Sequence, residues 1–200
     1  MKKELETQEV GSIRKPQWLL KILRNPNIPD AVKEQTRDDL AYLNLRMFED
    51  IGLDVVYDGE ARRVEMYEYP VRRSKGFEFC GRIRSWDNKY FRKARCVSKV
   101  EYIEPYHLNE MIFVKNNTAK ELKIPVTGPY TLADWSFNEY YPNRSDFIFD
   151  IAKSLVHPLL RDLESAGAKH IQIDEPAATT HPREMQLCVE ALNEAVKGLS

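Results

Sequence analysis

The sequence lacks the patterns that mark membrane, secreted and redox proteins. No apolar run approaches the about 18 residues of a membrane span, and no signal-like segment follows Met1. The chain has three cysteines, and no two of them have the spacing of a zinc or thiol-exchange motif. These absences predict a cytoplasmic protein, kept in a reducing compartment, that does not contact a membrane.

The sequence also lacks an excess of charge of either sign. Its 30 basic and 31 acidic residues give a net charge of −1, so no general field favours nucleic acid as a partner. A basic stretch between residues 62 and 84 is interrupted by Glu65, Glu68 and Glu78, which favours a solvated face over a nucleic-acid site. A phosphate-binding loop is not indicated either, because no G-x-G-x-x-G or Walker motif is present.

What the sequence does contain is strands and helices in alternation. The predicted strands span 7–11, 53–57, 97–103, 123–126 and 170–173, and a hairpin with its turn at Asp87-Asn88 spans about 77–92. The predicted helices span 38–51, 61–70, 106–121, 145–166 and 182–197. Gly52 is expected to end the first of these helices, and Ser145-Asp146 to cap the fourth.

This order predicts an α/β fold with a parallel sheet, because alternating strands and helices are joined by crossover connections. Polar motifs follow strand after strand, which is typical of the loops that build the active site of a (β/α)8 TIM barrel. An open doubly wound sheet is the alternative.

Length limits how much of a barrel is present. A full barrel needs about 200–250 residues. Residues 1–200 are therefore predicted to form one domain that holds about the first five β/α units, with a hairpin insertion at about 76–96. An incomplete barrel would need a further segment or a second chain to cover its open sheet edge.

The acidic loop after the last predicted strand is the most informative local pattern. The run His170-Ile171-Gln172-Ile173-Asp174-Glu175-Pro176-Ala177 takes an apolar strand directly into two carboxylates and a proline. The carboxyl ends of parallel strands carry the chemistry in α/β folds, and carboxylates are rarely buried there without a partner. Neighbouring side chains on a strand point opposite ways, so Asp174 is predicted to serve a site and Glu175 to be structural.

Several motifs in one order resemble the cobalamin-independent methionine synthase family, in particular its C-terminal catalytic barrel and its short single-barrel relatives. The matching segments are Val10-Gly11-Ser12, Gly59-Glu60, Arg95-Cys96-Val97, Thr127-Gly128-Pro129, Asp134-Trp135-Ser136-Phe137 and Ile173-Asp174-Glu175-Pro176-Ala177. The resemblance implies a methyltransferase that moves a methyl group to the zinc-activated thiol of homocysteine and forms methionine. It implies a methyl-folate or a methylated corrinoid protein as the donor.

The resemblance also implies which residues bind the amino acid. The backbone of Gly11 and Ser12 would hold the substrate carboxylate, and Glu60 and Asp174 would hold its ammonium group. An ammonium group does need negative or carbonyl acceptors around it. The plainer interpretations are an ordinary turn for the glycine and serine, and surface ion pairs for the two acids.

Three further residues would lie along the methyl donor by the same resemblance, namely Arg95, Cys96 and Trp135. A planar donor ring suits an aromatic face such as that of Trp135. The alternatives are a solvated charge for Arg95, a small buried apolar side chain for Cys96 and core packing for Trp135. The four implied substrate residues and Trp135 are expected to converge at one mouth of the sheet.

The sequence departs from the family pattern at the zinc ligands. Zinc would hold the substrate sulfur as the reactive thiolate, and the family's ligands begin with a His-x-Cys motif. This chain contains no such motif, so no ligand is assigned and the metal segment is expected beyond Ser200. Two further departures are Asp58, where longer synthases commonly have histidine, and Thr180, where folate-using members carry an acidic residue.

Two other functional classes stay open at this level. One is a related thiol methyltransferase or a barrel of the uroporphyrinogen-decarboxylase type, although the arginine-rich opening expected for the latter is absent. The other is a non-catalytic split subunit that lacks the metal site and binds an amino acid or a partner chain.

Overall fold

A computed structural model describes residues 5–84 and 90–200. The helices in chain order are α1 Gln17–Arg24, α2 Asp30–Asp50, α3 Glu68–Arg72, α4 Leu108–Asn117, α5 Pro129–Asp134, α6 Arg144–Ile151, α7 His157–Ser165 and α8 Met185–Ala195. The strands are β1 Val55–Val56, β2 Ser74–Arg84, β3 Tyr90–Tyr102, β4 Glu121–Leu122, β5 Ile124–Thr127, β6 Phe137–Asn138 and β7 Ile171–Asp174. The predicted turn at Asp87-Asn88 lies outside the described residues.

The chain divides into two compact units. The first comprises Met1–Arg63, Leu108–Ile124 and Ala168–His170. The second comprises Val64–His107, Pro125–Gly167 and Ile171–Ser200.

The first unit packs α2 and α4 around a short parallel ladder. Strand β1 pairs with β4 in parallel, and a single parallel bridge joins Gln8 to Val55. The predicted strand at 7–11 is therefore reduced to one bridge. Leu45 and Phe48 of α2 pack with Val56 and Val114 in the core.

Helix α2 differs from the prediction at its start and agrees at its end. It begins at Asp30, directly after Pro29, instead of at residue 38. Its first two turns are mostly polar and show no apolar period, so the pattern missed them although proline commonly precedes a helix. At the other end Gly52 has φ 82°, and the Leu53 amide donates to the Phe48 carbonyl at 3.0 Å, which confirms the predicted glycine stop.

The second unit is built on the β2–β3 antiparallel hairpin. Strand β3 runs without a break from Tyr90 to Tyr102, so the predicted hairpin arm and the separate strand at 97–103 are one element. Strand β6 adds to β3 in parallel, and β5 hydrogen-bonds to β7. Neither β6 nor the short helix α5 was expected, because both lie in a segment that the sequence presented as a polar loop.

The predicted long helix at 145–166 is present as α6, a π-helical turn over Ala152–Val156, and α7. The predicted Ser145-Asp146 cap is wrong. The N-cap is Asn143, whose side-chain oxygen accepts the Asp146 amide at 2.8 Å. Asparagine is among the strongest N-cap residues, so the helix starts before the serine.

The predicted α/β class is confirmed, since helices and both parallel and antiparallel strand pairs are present. Within the described residues the strands form three separate sheets of two, three and two strands, and these sheets do not make a closed barrel. Over the same residues no helix is long and apolar enough to cross a membrane.

Candidate substrate site and its relatives

A strained turn follows β1 in the first unit. Gly59 has φ 68° and Glu60 has φ 59°, and Glu60 is the one non-glycine residue with positive φ among those described. A Cβ atom at position 59 would lie 2.5 Å from Nδ2 of Asn44, so glycine is required there on steric as well as conformational grounds. A glutamate in the left-handed region costs about 1–2 kcal/mol and persists only where its surroundings hold it.

Four hydrogen bonds hold this turn. Oδ1 of Asp58 accepts the Glu60 amide at 2.8 Å, and Nδ2 of Asn44 donates to the Asp58 carbonyl at 2.9 Å. The Glu60 carbonyl accepts Nζ of Lys15 at 3.0 Å and the Arg63 amide at 3.2 Å. The amide and the carbonyl of Glu60 are thus both hydrogen-bonded, which fixes the position of its Cα atom and the direction in which the side chain leaves the main chain.

The segment that carries Gly11 and Ser12 lies against the same turn. The Tyr57 hydroxyl donates to the Gly11 carbonyl, and the Ile13 amide donates to the Gly59 carbonyl at 3.1 Å. Ser12, between these two anchors, is exposed. The structure therefore brings together three of the four residues predicted to bind the amino acid.

Charged side chains are concentrated behind the turn. Asp58 is fully buried and Glu60 is 7 % exposed. Arg63 forms a two-point contact with Glu110, through Nη2 to Oε1 at 2.5 Å and Nε to Oε2 at 3.2 Å, and its Nη1 lies 3.6 Å from Oε1 of Glu60. An ion pair between Glu60 and an arginine just after it was the plainer interpretation of the sequence, and Arg63 is that neighbour. The contact of Arg63 with Glu110 was not expected, because the two residues lie 47 positions apart.

Burial and neighbouring charges together set the pKa values of Asp58, Lys15 and Arg63. Burial raises the pKa of Asp58 to about 7, the negative charge of Glu110 adds to the rise, and Arg63 partly offsets it. Burial lowers the pKa of Lys15, although Asp58 and Glu60 oppose the change. Burial opposes the charged form of Arg63, but Glu110, Glu60 and Asp58 together outweigh burial and raise the pKa of that guanidinium, which stays charged. A buried carboxylate site with compensated charge suits a cationic group of a small ligand.

In the second unit, Asp174 ends β7. Its carbonyl accepts the Gly128 amide at 2.9 Å, and its Oδ1 accepts Nε2 of Gln172 at 2.6 Å. The side chain is half-buried. It therefore stands at the carboxyl end of the strand, where the sequence predicted a site residue.

Glu175 has the structural role that was expected of it. Its two carboxylate oxygens accept the amides of Tyr130 and Thr131, at 2.9 and 2.7 Å, in the first turn of α5. Burial raises the pKa of this carboxyl, and the hydrogen bonds from Thr131 and Tyr130 oppose the rise. The acid thus ties the loop after β7 to the helix after β5.

Trp135 belongs to an aromatic cluster in the second unit. Its ring lies 5.3 Å from that of Phe91 and 6.3 Å from that of Tyr67, between ring centroids. The Tyr67 hydroxyl bonds to Oγ of Ser136 at 2.9 Å and accepts the Ala94 amide at 3.0 Å. Trp135 is half-buried, so this packing supports the indole and leaves part of it accessible.

Arg95 and Cys96 are neighbours on β3 with opposite surroundings. Arg95 is exposed and pairs with Glu78 at 2.9 Å and with Glu139 at 3.5 Å. Cys96 is fully buried, its thiol donates to the Ser98 carbonyl at 3.2 Å, and burial raises its pKa to about 11. Strand alternation sends the two side chains to opposite faces. Their shared role along a donor stays a prediction.

A metal site does not follow from these residues. Over residues 5–84 and 90–200, histidine, cysteine and acidic side chains form no group of three or more that could hold a metal ion. Zinc in proteins takes at least three such ligands. The donor set of the described residues therefore does not fit the zinc that the resemblance implies.

The chain is similar to known proteins in family, sequence and fold. Residues 18–200 match the model of the cobalamin-independent synthase catalytic domain. Methionine synthases from Pyrococcus furiosus and Pyrococcus horikoshii are each 47% identical to this chain over 199 residues, which covers 98% of this chain and 59% of each relative. The chain therefore spans about three-fifths of the length of these relatives.

A solved structure shares the fold. A B12-independent methionine synthase from Shewanella sp. W3-18-1, in complex with selenomethionine, superposes with a TM-score of 0.81 at 24% identity, over 95% of this chain and 57% of that one. The resemblance noted in the sequence is confirmed, and the chain belongs to the cobalamin-independent methionine synthase family.

Proposed function

We propose that this protein is a methyltransferase of the methionine synthase type, which transfers a methyl group to the thiol of homocysteine and forms methionine. Family membership and relatives that are named methionine synthase support the proposal. The observation that carries it is local to this chain. The strained and buried Glu60 lies beside the Gly11–Ser12 segment, in a turn whose main chain is fully engaged.

The proposed amino-acid contacts divide by charge. The backbone of Gly11 and Ser12 binds the substrate carboxylate, and Glu60 and Asp174 bind its ammonium group. Arg63, which is bonded to Glu110, also lies 3.6 Å from the carboxylate of Glu60, so the buried Glu60 has a cationic neighbour. This arrangement contributes orientation of the substrate more than chemistry at the sulfur.

The methyl donor is proposed to pack against Trp135, with Arg95 and Cys96 on the strand that borders the same aromatic cluster. A flat heterocycle gains stacking energy on an indole that Phe91 and Tyr67 already support. The two candidate donors are a methyl-folate and a methylated corrinoid protein. Thr180 in place of an acidic residue favours the corrinoid protein.

The metal is proposed to come from outside these 200 residues. The relatives are longer than this chain, and zinc ligands in the part that it does not span would complete the site. We propose likewise that residues 1–200 form one domain, the first part of a (β/α)8 barrel with a hairpin insertion at about 76–96. A further segment or a second chain would close it.

The amino-acid site is tested by calorimetry on the intact protein with L-methionine and with its des-amino analogue, 4-(methylthio)butanoate. The wild type should prefer methionine, because only methionine offers an ammonium group to Glu60. Glu60→Gln should reduce methionine affinity at least tenfold and leave the analogue unchanged. Glu190→Gln, at an exposed site, is the matched control. Equal discrimination in Glu60→Gln and wild type would remove Glu60 from the site.

A further inference from the structure

One face of the β2–β3 hairpin carries arginines in direct opposition. The register places Arg82 opposite Arg92 and Arg84 opposite Tyr90. Residues directly opposite each other in an antiparallel pair share a face, and like charges in that position are destabilising. The fold therefore tolerates a repulsion that a simple substitution would remove.

An aromatic ring holds two of the guanidinium groups in place. The Arg92 guanidinium lies 4.7 Å from the centre of the Phe79 ring, and that of Arg72 lies 5.0 Å from the same centre. Arg72 also pairs with Glu68 at 2.7 Å. We name the side chains of Arg72, Arg82, Arg84 and Arg92, with the rings of Phe79 and Tyr90, the arginine face.

Apart from Arg72, which pairs with Glu68, the arginine face is poorly neutralised. Across the parts of the chain that the structure describes, no carboxylate forms an ion pair with Arg82, Arg84 or Arg92. Tyr90 is 60% exposed. The net charge of the chain is −1, so this excess of positive charge is local.

The other end of the same hairpin is paired in the usual way. Lys75 lies opposite Glu101, with an ion pair of 3.0 Å, and Glu78 lies opposite Arg95, with an ion pair of 2.9 Å. The hairpin thus has two oppositely charged pairs at one end and one like-charged pair, Arg82 and Arg92, at the other.

We propose that the arginine face is a docking surface for an acidic face of a partner protein. Guanidinium groups stacked on a ring are weakly hydrated and bind carboxylates at two points, and arginine and tyrosine are enriched where interfaces gain most of their affinity. A nucleic-acid backbone is the competing anion, and the test includes it as an outcome that would overturn the proposal. Carboxylates of the partner would relieve the opposition of Arg82 and Arg92.

The test uses a fluorescein-labelled peptide of 15 residues rich in glutamate, measured by anisotropy against the intact protein in 150 mM salt. Arg82→Glu/Arg84→Glu should weaken binding at least tenfold. Arg161→Glu/Arg183→Glu, at two exposed positions, changes the net charge equally and should change binding less than twofold. Equal loss in both variants, or no binding by the wild type, would overturn the proposal.

Two further measurements separate this surface from other anion sites and from a role in folding. A 15-base-pair DNA duplex and phosphatidylserine vesicles should bind more weakly than the peptide, and tighter binding of either would overturn the proposal. Arg82→Thr should weaken peptide binding while the melting temperature stays equal or rises, because a repulsion is removed. A fall in melting temperature would assign Arg82 to the fold instead.

Discussion

Titration of Asp58 should make the stability of this protein fall as pH rises towards neutrality. In the folded chain, burial and the charge of Glu110 raise the pKa of Asp58 from 3.8 to about 7. The unfolded chain releases the same proton near 3.8. Between these two values the folded state binds more protons than the unfolded state, so the free energy of unfolding decreases with pH.

The size of the effect follows from the difference in pKa. A difference of about 3 corresponds to about 4 kcal/mol in all, at about 1.4 kcal/mol per pH unit. Between pH 5 and pH 8 the titration of Asp58 therefore removes about 3 kcal/mol, since the loss ends near pH 7. Below pH 4 the carboxyl is protonated in both states and contributes no slope.

Asp58→Asn removes this titration and keeps most of the geometry. Asparagine retains an Oδ1 that can accept the Glu60 amide, which Asp58 accepts at 2.8 Å. The variant loses the contact of Arg62, at 3.4 Å, but Arg62 still pairs with Asp38. Any constant cost of the substitution cancels when the slope with pH is compared.

The measurement is urea unfolding at pH 5, 6, 7 and 8, for wild type and Asp58→Asn. The wild type should lose about 3 kcal/mol more than the variant between the first and last pH. Asp30→Asn, at a carboxylate whose side chain is 96% exposed, is the matched substitution control. Parallel curves for wild type and Asp58→Asn would show that Asp58 is ionised throughout and would refute the reasoning.

Three further predictions concern buried polar contacts. In Glu175→Gln a side-chain NH2 group replaces one of the two oxygens that accept helix amides, so one amide loses its acceptor. The free energy of unfolding in urea should fall by about 1–3 kcal/mol. No loss would show that water replaces the carboxylate. Arg63→Met alone should cost about 3–5 kcal/mol by stranding Glu110, and Arg63→Met/Glu110→Met should recover most of it. An unrecovered double variant would contradict that account. Tyr67→Phe strands the Ala94 amide and should cost about 1–3 kcal/mol, and an unchanged melting temperature would contradict it.

Local chemistry made some elements of the fold predictable. Gly52 ended α2 as expected, because only glycine enters the left-handed region without cost. The hairpin was anticipated from alternation, but its length was not. Phe77 to Cys96 and Lys75 to Glu101 are both paired, with a register irregularity between them, and a bulge of this kind leaves no clear trace in the sequence.

Other elements depend on contacts between distant residues and could not be read from the sequence. Helix α5 is short, and its first turn is completed by Glu175, which lies far along the chain. Likewise, the ion pair of Arg63 and Glu110 joins two segments that share no motif. Tertiary contacts of this sort override local propensity, and a single sequence does not reveal them.

The sequence indicated a turn at Gly59-Glu60 but did not indicate the backbone strain at Glu60. The motif Gly59-Glu60 indicated a turn, and glycine explained its own positive φ. Nothing in the sequence indicated that Glu60 would also lie in the left-handed region, at φ 59°. That conformation requires the acceptors and donors supplied by Asp58 and Lys15.

This strain is itself an argument about function. A turn selected for stability alone would carry glycine or asparagine at position 60, since either adopts a positive φ at less cost than glutamate. The chain instead keeps a long carboxylate there and engages both of its main-chain groups to hold it. A cost of about 1–2 kcal/mol that neighbouring residues are arranged to offset is expected where a side chain must point in one direction. Under the proposed function, Glu60 is therefore the residue at which substrate binding and fold stability make opposite demands.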